Sequence, residues 1–160
     1  MPFSEVFRLH ARLRGRKVAI QQGSRRIDFA SLDRAVNGVA FALGGIGIRR
    51  GEFVGVALKD SAEHLMLLLA LARLGAIILP MDWRWTDAEQ RAVAERYAAT
   101  QVLAEALPPD APQSWRGVMP GWFTGTEQVY LDAEVTDDSP FLLSLSSGTT
   151  GMPKGPCVTH

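Results

Sequence analysis

The twelve residues Ser144-Leu145-Ser146-Ser147-Gly148-Thr149-Thr150-Gly151-Met152-Pro153-Lys154-Gly155 contain five hydroxyls, three glycines and one lysine. Glycine lets backbone amides come close to a bulky anion, and hydroxyls add donors to the same concavity. Lysine brings a mobile point charge suited to a terminal phosphate. Phosphate binding is therefore the chemistry this run can do. Its spacing differs from a Walker A loop, Gly-x-x-x-x-Gly-Lys-Ser/Thr, because Pro153 precedes Lys154 and Gly155 follows it. The Gly-x-Gly-x-x-Gly of dinucleotide-binding folds is absent too. A plain surface turn has a similar composition, but the length, the order and the apolar strand ahead of the run favour a binding loop.

Other reactive side chains offer less. His10, His64 and His160 are far apart and show no metal-ligand spacing. His64 falls in the first turn of a largely apolar helix and reads as structural. Cys157 has no sequence-visible base, and Asp137-Asp138 reads as a solvated pair of acids in a turn. A single cysteine excludes an internal disulfide framework and a Cys-only zinc cage, which suits a reducing compartment.

The elements that must position the loop follow from the rest of the chain. Its 160 residues are 47% hydrophobic and 21% charged, a globular composition sufficient for one core. Seventeen basic and seventeen acidic residues cancel, which argues against a dedicated nucleic-acid binder. The balance is uneven, since residues 1–50 hold ten Lys/Arg against three Asp/Glu. Arg8, Arg12, Arg14, Arg16 and Lys17 could belong to a transit peptide, but Phe3, Val6, Phe7, His10 and Leu13 fall at helical spacing and favour an amphipathic surface helix. The apolar stretch Leu65–Met81 is split by Arg73 and broken by Gly75 and Pro80, so neither half reaches the ~20 residues that span a bilayer.

Periodicity and turn chemistry predict a helix over Phe3–Leu13 and a hairpin of Lys17–Gln22 with Arg25–Phe29 around Gly23-Ser24. A helix follows from Ala30 or Ser31 to Leu43, stopped by Gly44-Gly45. Phe53–Leu58 reads as a strand, and Asp60 or Ser61 caps a helix running to Leu74. Ala76–Met81 reads as a buried strand, Thr86 with Glu89 as a capping box opening a helix to Ala99, and Gln101–Glu105 as a third strand. This alternation argues for parallel βαβ units with right-handed crossovers. Between Ala106 and Pro140 the pattern gives loops and one short strand near Gln128–Leu131, before the apolar strand Phe141–Leu145.

The run Ser146-Ser147-Gly148-Thr149-Thr150-Gly151-Met152-Pro153-Lys154-Gly155, followed by Thr159-His160, resembles the phosphate-binding signature of the adenylate-forming superfamily. That superfamily includes acyl-CoA synthetases, peptide-synthetase adenylation domains and firefly-type luciferases. Ile27-Asp28-Phe29-Ala30-Ser31-Leu32, Gly51-Glu52-Phe53-Val54-Gly55-Val56 and Gly75-Ala76-Ile77-Ile78-Leu79-Pro80-Met81-Asp82 are similar to its earlier elements. Two positions depart from the pattern: Lys59-Asp60 replaces an Asn-containing turn, and Pro156 replaces a valine after the lysine-glycine pair, removing a backbone donor. Asp82-Trp83-Arg84-Trp85-Thr86 resembles the acyl-CoA synthetase branch more than the peptide-synthetase branch, and Trp83 and Trp85 are expected to pack at a strand end.

The resemblance implies an α/β fold: parallel βαβ units of the N-terminal subdomain of an adenylate-forming enzyme, with an N-terminal helix and β-hairpin. It implies a partial N-terminal domain over 1–160, with the helix, hairpin and βαβ units in 1–105, a loop-rich segment in 106–140, and the strand and phosphate-binding loop in 141–160. The C-terminal domain is expected to be absent, and the adenine pocket, the acid that holds magnesium and most of the acyl pocket to lie beyond His160. The parent would be an ATP-dependent acyl-CoA synthetase that makes acyl-AMP and pyrophosphate from a carboxylic acid and ATP, then a thioester from coenzyme A. Two alternatives are an adenylation domain serving a carrier protein and a non-catalytic folded fragment.

Ser146, Ser147, Gly148, Thr149, Thr150, Gly151 and Lys154 would hold the β and γ phosphates, with no complete catalytic set and no metal ligand among these 160 residues. ATP with Mg2+ and coenzyme A would serve the parent, whereas this chain alone is expected to hold none of them tightly and to be inactive. No nucleic-acid partner and no membrane span are expected, and the location is expected to be cytoplasmic. Phe141–Leu145 and Ala76–Met81, deprived of downstream partners, are expected to drive self-association.

Overall fold

A computed structural model describes residues 1–130, 134–146 and 153–160. Helix α1 (Phe3–Arg14) leads into the hairpin β1 (Val18–Gln22) and β2 (Arg25–Asp28), which turns at Gly23-Ser24 as the sequence predicts. Helix α2 (Phe29–Gly45) begins earlier than expected, because the Asp28 carboxylate accepts the Ser31 N–H at 2.7 Å and caps it. It also ends later. Gly44 and Gly45 stay helical, and the left-handed residue is Gly47 (φ +100°), with Gly47 N–H bonded to Gly44 O and Ile48 N–H to Leu43 O. A paired-carbonyl ending of this kind needs positive φ one step past the cap, so Gly47 rather than Gly44 is the stop signal.

The remaining elements are β3 (Phe53–Ala57), α3 (Ala62–Leu74), β4 (Ile77–Pro80), α4 (Asp87–Arg96), β5 (Gln101–Ala104), β6 (Trp115–Gly117), a 3-10 turn at Pro120–Phe123, β7 (Pro140–Leu143) and β8 (Cys157–Thr159). Ser61 caps α3 by accepting the His64 N–H at 3.0 Å, and the Thr86–Glu89 capping box opens α4. The expected extension of α4 to Ala99 does not occur, because Ala98 turns left-handed at φ +50°. The expected strand at Gln128–Leu131 is also absent over its described residues: the Tyr130 N–H goes to Asn37 Oδ1 at 3.1 Å instead of to a ladder. Among the described residues between Ala106 and Ser139 the strand is β6, which pairs with β5.

Six strands form one sheet in the order β6-β5-β3-β4-β7-β8, parallel except for the antiparallel pair β7–β8. The chain steps from β3 to its neighbour β4 and then back across β3 to β5. Right-handed crossovers in opposite directions place α3 and α4 on opposite faces of the sheet. Side chains alternate accordingly. Val54, Val56, Ile78 and Leu103 face the cluster built by α2 and α3, whereas Ala57, Leu79, Val102, Ala104 and Leu143 face Val93 and Ala94 of α4. The central strands are thus buried on both faces, as their unbroken apolar runs demand.

The expected exposure of Ala76–Met81 is corrected here. Ala76, Ile77, Ile78, Leu79 and Met81 are all buried, because β4 lies between β3 and β7. The amphipathic reading of α1 also changes in detail. Leu13 is 68% exposed, while Ser4 and Arg8 are the buried residues. Arg8 donates to Glu5 at 2.9 Å and to the Tyr130 carbonyl at 2.6 Å. Beside it, Arg73 of α3 donates to Asn37 Oδ1 at 2.6 Å and to Asp33 at 2.8 Å. Burial pushes the Arg73 guanidinium downward in pKa, and Asp33 opposes that shift. Among the described residues no helix is long and apolar enough to cross a membrane.

Candidate phosphate-binding hairpin

Strand β7 carries the loop into place by joining β4 in parallel at Ile78↔Leu142, and β8 returns against it through Leu142↔Val158 and Leu143↔Cys157. The same register continues beyond the strands. Ser144 N–H donates to Pro156 O at 2.9 Å, and Ser146 N–H donates to Lys154 O at 2.9 Å. Ser146 and Lys154 therefore share one antiparallel rung. Of the residues the sequence nominates, these two are brought together; Ser147, Gly148, Thr149, Thr150 and Gly151 lie outside the described residues.

The rung has an uneven division of labour. The Ser146 hydroxyl donates to Lys154 O at 2.8 Å, which commits its single proton. In this arrangement Ser146 braces the lysine's backbone. The Lys154 side chain is exposed and has no ion pair among the described residues. Gly155 is required by close approach, since a Cβ there would collide with the Ser144 carbonyl oxygen. Pro156 keeps its acceptor role but offers no N–H, so its rung with Ser144 has one bond where an ordinary hydrogen-bonded pair has two.

Contacts from outside the hairpin fix its edges. Leu145 packs against the α4-side cluster that also receives Trp85 and Tyr97. The Tyr97 hydroxyl donates to Pro153 O at 2.8 Å, a contact no local sequence signal announces across 56 positions. At the end of the signature, His160 Nδ1 accepts the Phe3 N–H at 3.2 Å, and the ring lies 4.9 Å from that of Phe141. Burial holds the His160 imidazole below its ordinary pKa, against the pull of Asp137. Asp137 and Asp138 are exposed in a turn, but Asp137 is not merely solvated: its carboxylate accepts from the Met1 ammonium at 2.5 Å.

The connection from β4 to α4 forms a second polar feature. Arg84 Nη2 meets Asp82 at 2.6 Å and its Nε meets it at 2.9 Å, and these bonds hold the Asp82 carboxyl down to about 2. Trp85 packs as expected. Trp83 instead is 47% exposed, with Lys59 Nζ 4.7 Å above its ring. A cavity of about 330 Å³ opens beside Lys59, Trp83, Trp85 and Asp87. Among the described residues no group of three His, Cys, Asp or Glu side chains gathers to hold a metal.

The sequence model of the AMP-binding enzyme family matches residues 7–160. The chain is 32% identical to the indoleacetate–CoA ligase of Aromatoleum aromaticum, covering all of this chain and 35% of that enzyme. It is 30% identical to a component of the linear gramicidin synthase of Brevibacillus parabrevis, over 98% of this chain and 3% of that protein. The N-terminal subdomain of Klebsiella oxytoca NpsA, solved in complex with 3-hydroxybenzoyl-AMSN, superposes with a TM-score of 0.86 at 20% identity, over 99% of this chain and 41% of that one. That last likeness is one of fold.

Proposed function

The chain belongs to the AMP-binding enzyme family, and from that premise we propose that it carries the pyrophosphate-holding hairpin of an ATP-dependent acid–CoA ligase. The supporting observation is the Ser146–Lys154 rung, which presents an exposed ammonium, without an ion pair among the described residues, where the glycine and hydroxyl run returns. In the first half-reaction a carboxylate oxygen attacks the α-phosphorus of ATP. The bond to the bridging oxygen breaks, and pyrophosphate leaves with the electron pair. Negative charge therefore accumulates on the leaving group, where Lys154 offsets it and the hydroxyls of Ser147, Thr149 and Thr150, with amides near Gly148 and Gly151, donate to it. Ser146 keeps Lys154 in register. In the second half-reaction the coenzyme A thiol attacks the acyl carbonyl and AMP leaves, a step that develops no charge on pyrophosphate.

Mg2+ would arrive with ATP as its companion ion. Coenzyme A is favoured as acceptor by the Asp82–Thr86 run and by the likeness to a CoA ligase. The likeness to a peptide synthetase supports a carrier-protein thiol as the second reading. The test is carboxylate-dependent ATP–pyrophosphate exchange by the full-length parent, with Lys154→Ala beside it, followed by thioester formation on coenzyme A and on a carrier protein. Exchange that survives Lys154→Ala unchanged would remove the assignment. The 160 residues alone are expected to give no exchange above the same 160 residues carrying Lys154→Ala, because reaction needs adenine, carboxylate and phosphate held together in near-attack geometry.

A further inference from the structure

The return arm of the hairpin is short of donors. Pro153 and Pro156 have no N–H, so at these two positions, on either side of Lys154, the return arm offers carbonyls but no backbone donor, and Ser144 and Ser146 donate to Pro156 O and Lys154 O. Two prolines remove two possible ladder bonds from the end that places Lys154. The structure supplies an anchor from outside. Tyr97 Oη donates to Pro153 O at 2.8 Å, one residue before the lysine.

Tyr97 is itself held rigidly. Its N–H bonds to Val93 O at the end of α4, and Ala99 N–H bonds to Ala94 O at 2.8 Å around the left-handed Ala98. The ring packs 6.2 Å from Phe53, with the Arg96 guanidinium 5.9 Å from its centroid. The phenol is thus aimed by a helix end and a core strand, while the carbonyl it meets belongs to the loop.

On the footing of the loop's role given above, we propose that Tyr97 is a positioning residue for Lys154, fixing the return arm so that the ammonium is in place before pyrophosphate begins to leave. A lysine side chain is long and flexible, and a charge that must be found and ordered during the reaction stabilises the transition state less than one already held. Tyr97 touches neither nucleotide nor acid in this role. It acts through the backbone.

The test is Tyr97→Phe in the full-length parent, which keeps the ring and its packing and removes only the hydroxyl. Carboxylate-dependent ATP–pyrophosphate exchange is expected to lose about three- to tenfold in kcat/KM, the scale of one neutral hydrogen bond. Thioester formation from a supplied acyl-adenylate is expected to stay within twofold, and the thermal midpoint within about 2 °C, since a buried packing defect would move both. In a Lys154→Ala background, Tyr97→Phe is expected to add nothing further, because there is no ammonium left to place. Multiplicative losses in the double variant, or equal slowing of both half-reactions, would overturn the positioning role. If Lys154→Ala slows exchange and Tyr97→Phe does not, Tyr97 falls and the loop's function stands. If Lys154→Ala itself has no effect, both fall together.

Discussion

Strands β3 and β8 lie in the same sheet under opposite conditions. In β3, Val54, Gly55, Val56 and Ala57 are buried, with α3 packed over one face and α4 over the other. In β8, Cys157, Val158 and Thr159 are all exposed. The βαβ body is specified by side chains: Leu67, Leu69 and Leu71 of α3 are almost fully buried and admit one packing. The hairpin is specified by backbone bonds and by what glycine and proline allow. Within these residues the body is held by burial and the hairpin by backbone bonds.

Leu67→Ala attacks the body and is expected to have the largest effect on stability. It removes a side chain that is completely buried between α2 and the sheet, so urea unfolding should lose about 2–5 kcal/mol with little change in slope. A loss under about 1 kcal/mol would mean that the body repacks as readily as an edge and that the contrast is false. Lys154→Ala attacks the other side. Exchange should fall about 10²–10³-fold while stability changes by less than about 0.5 kcal/mol, since the side chain is exposed and makes no described ion pair.

Legibility divides along the same line. The spans of α3, β3 and β4 follow from apolar runs and the cap at Ser61, and the start of α4 from the capping box at Thr86, because local pattern and tertiary structure agree there. Strand β6 escapes notice because Trp115–Gly117 is three residues long and forms only by pairing with β5. Tyr130 misleads in the other direction: it has strand propensity, but a distant asparagine takes its N–H. At the site, Ser146 and Lys154 are legible as types in a run, whereas their shared rung depends on where β8 returns. Tyr97 is not legible, because nothing near it in sequence refers to Pro153.

Gly155→Ala sharpens the comparison at the hairpin itself. A methyl group there meets the Ser144 carbonyl, a backbone atom that moves only if the rung opens. Overpacking of this kind costs about 1–3 kcal/mol. The loss should be local: amide exchange should speed up at Ser144 and Ser146 while Val54 and Ile78, in the buried strands, keep their protection. Equal loss of protection in both places would show that hairpin and body unfold as one unit.

The smallest expected effect tests the entry to α2, where the body depends on a polar group. Asp28 caps that helix through Ser31 N–H, and this backbone hydrogen bond is the main cause of a carboxyl pKa below the ordinary 3.8, with the Ser31 side chain adding to it. Replacing the cap with alanine should cost about 1 kcal/mol at pH 7. A carboxyl whose pKa is depressed in the folded state contributes stability that is complete above its unfolded value of about 3.9 and is lost as pH falls through the folded value. The gap in urea midpoint between the parent sequence and Asp28→Ala should therefore be constant from pH 7 to about pH 5 and close progressively below about pH 4. Asp28→Asn keeps an acceptor and loses the charge, so it should sit between the two at pH 7 and follow the alanine variant in its pH dependence. A gap that holds its full size down to about pH 2.5, well below the unfolded pKa, would mean the carboxylate's charge contributes nothing to the cap. The entry to α2 would then rest on a neutral hydrogen bond and packing, as the Ser61 cap of α3 does.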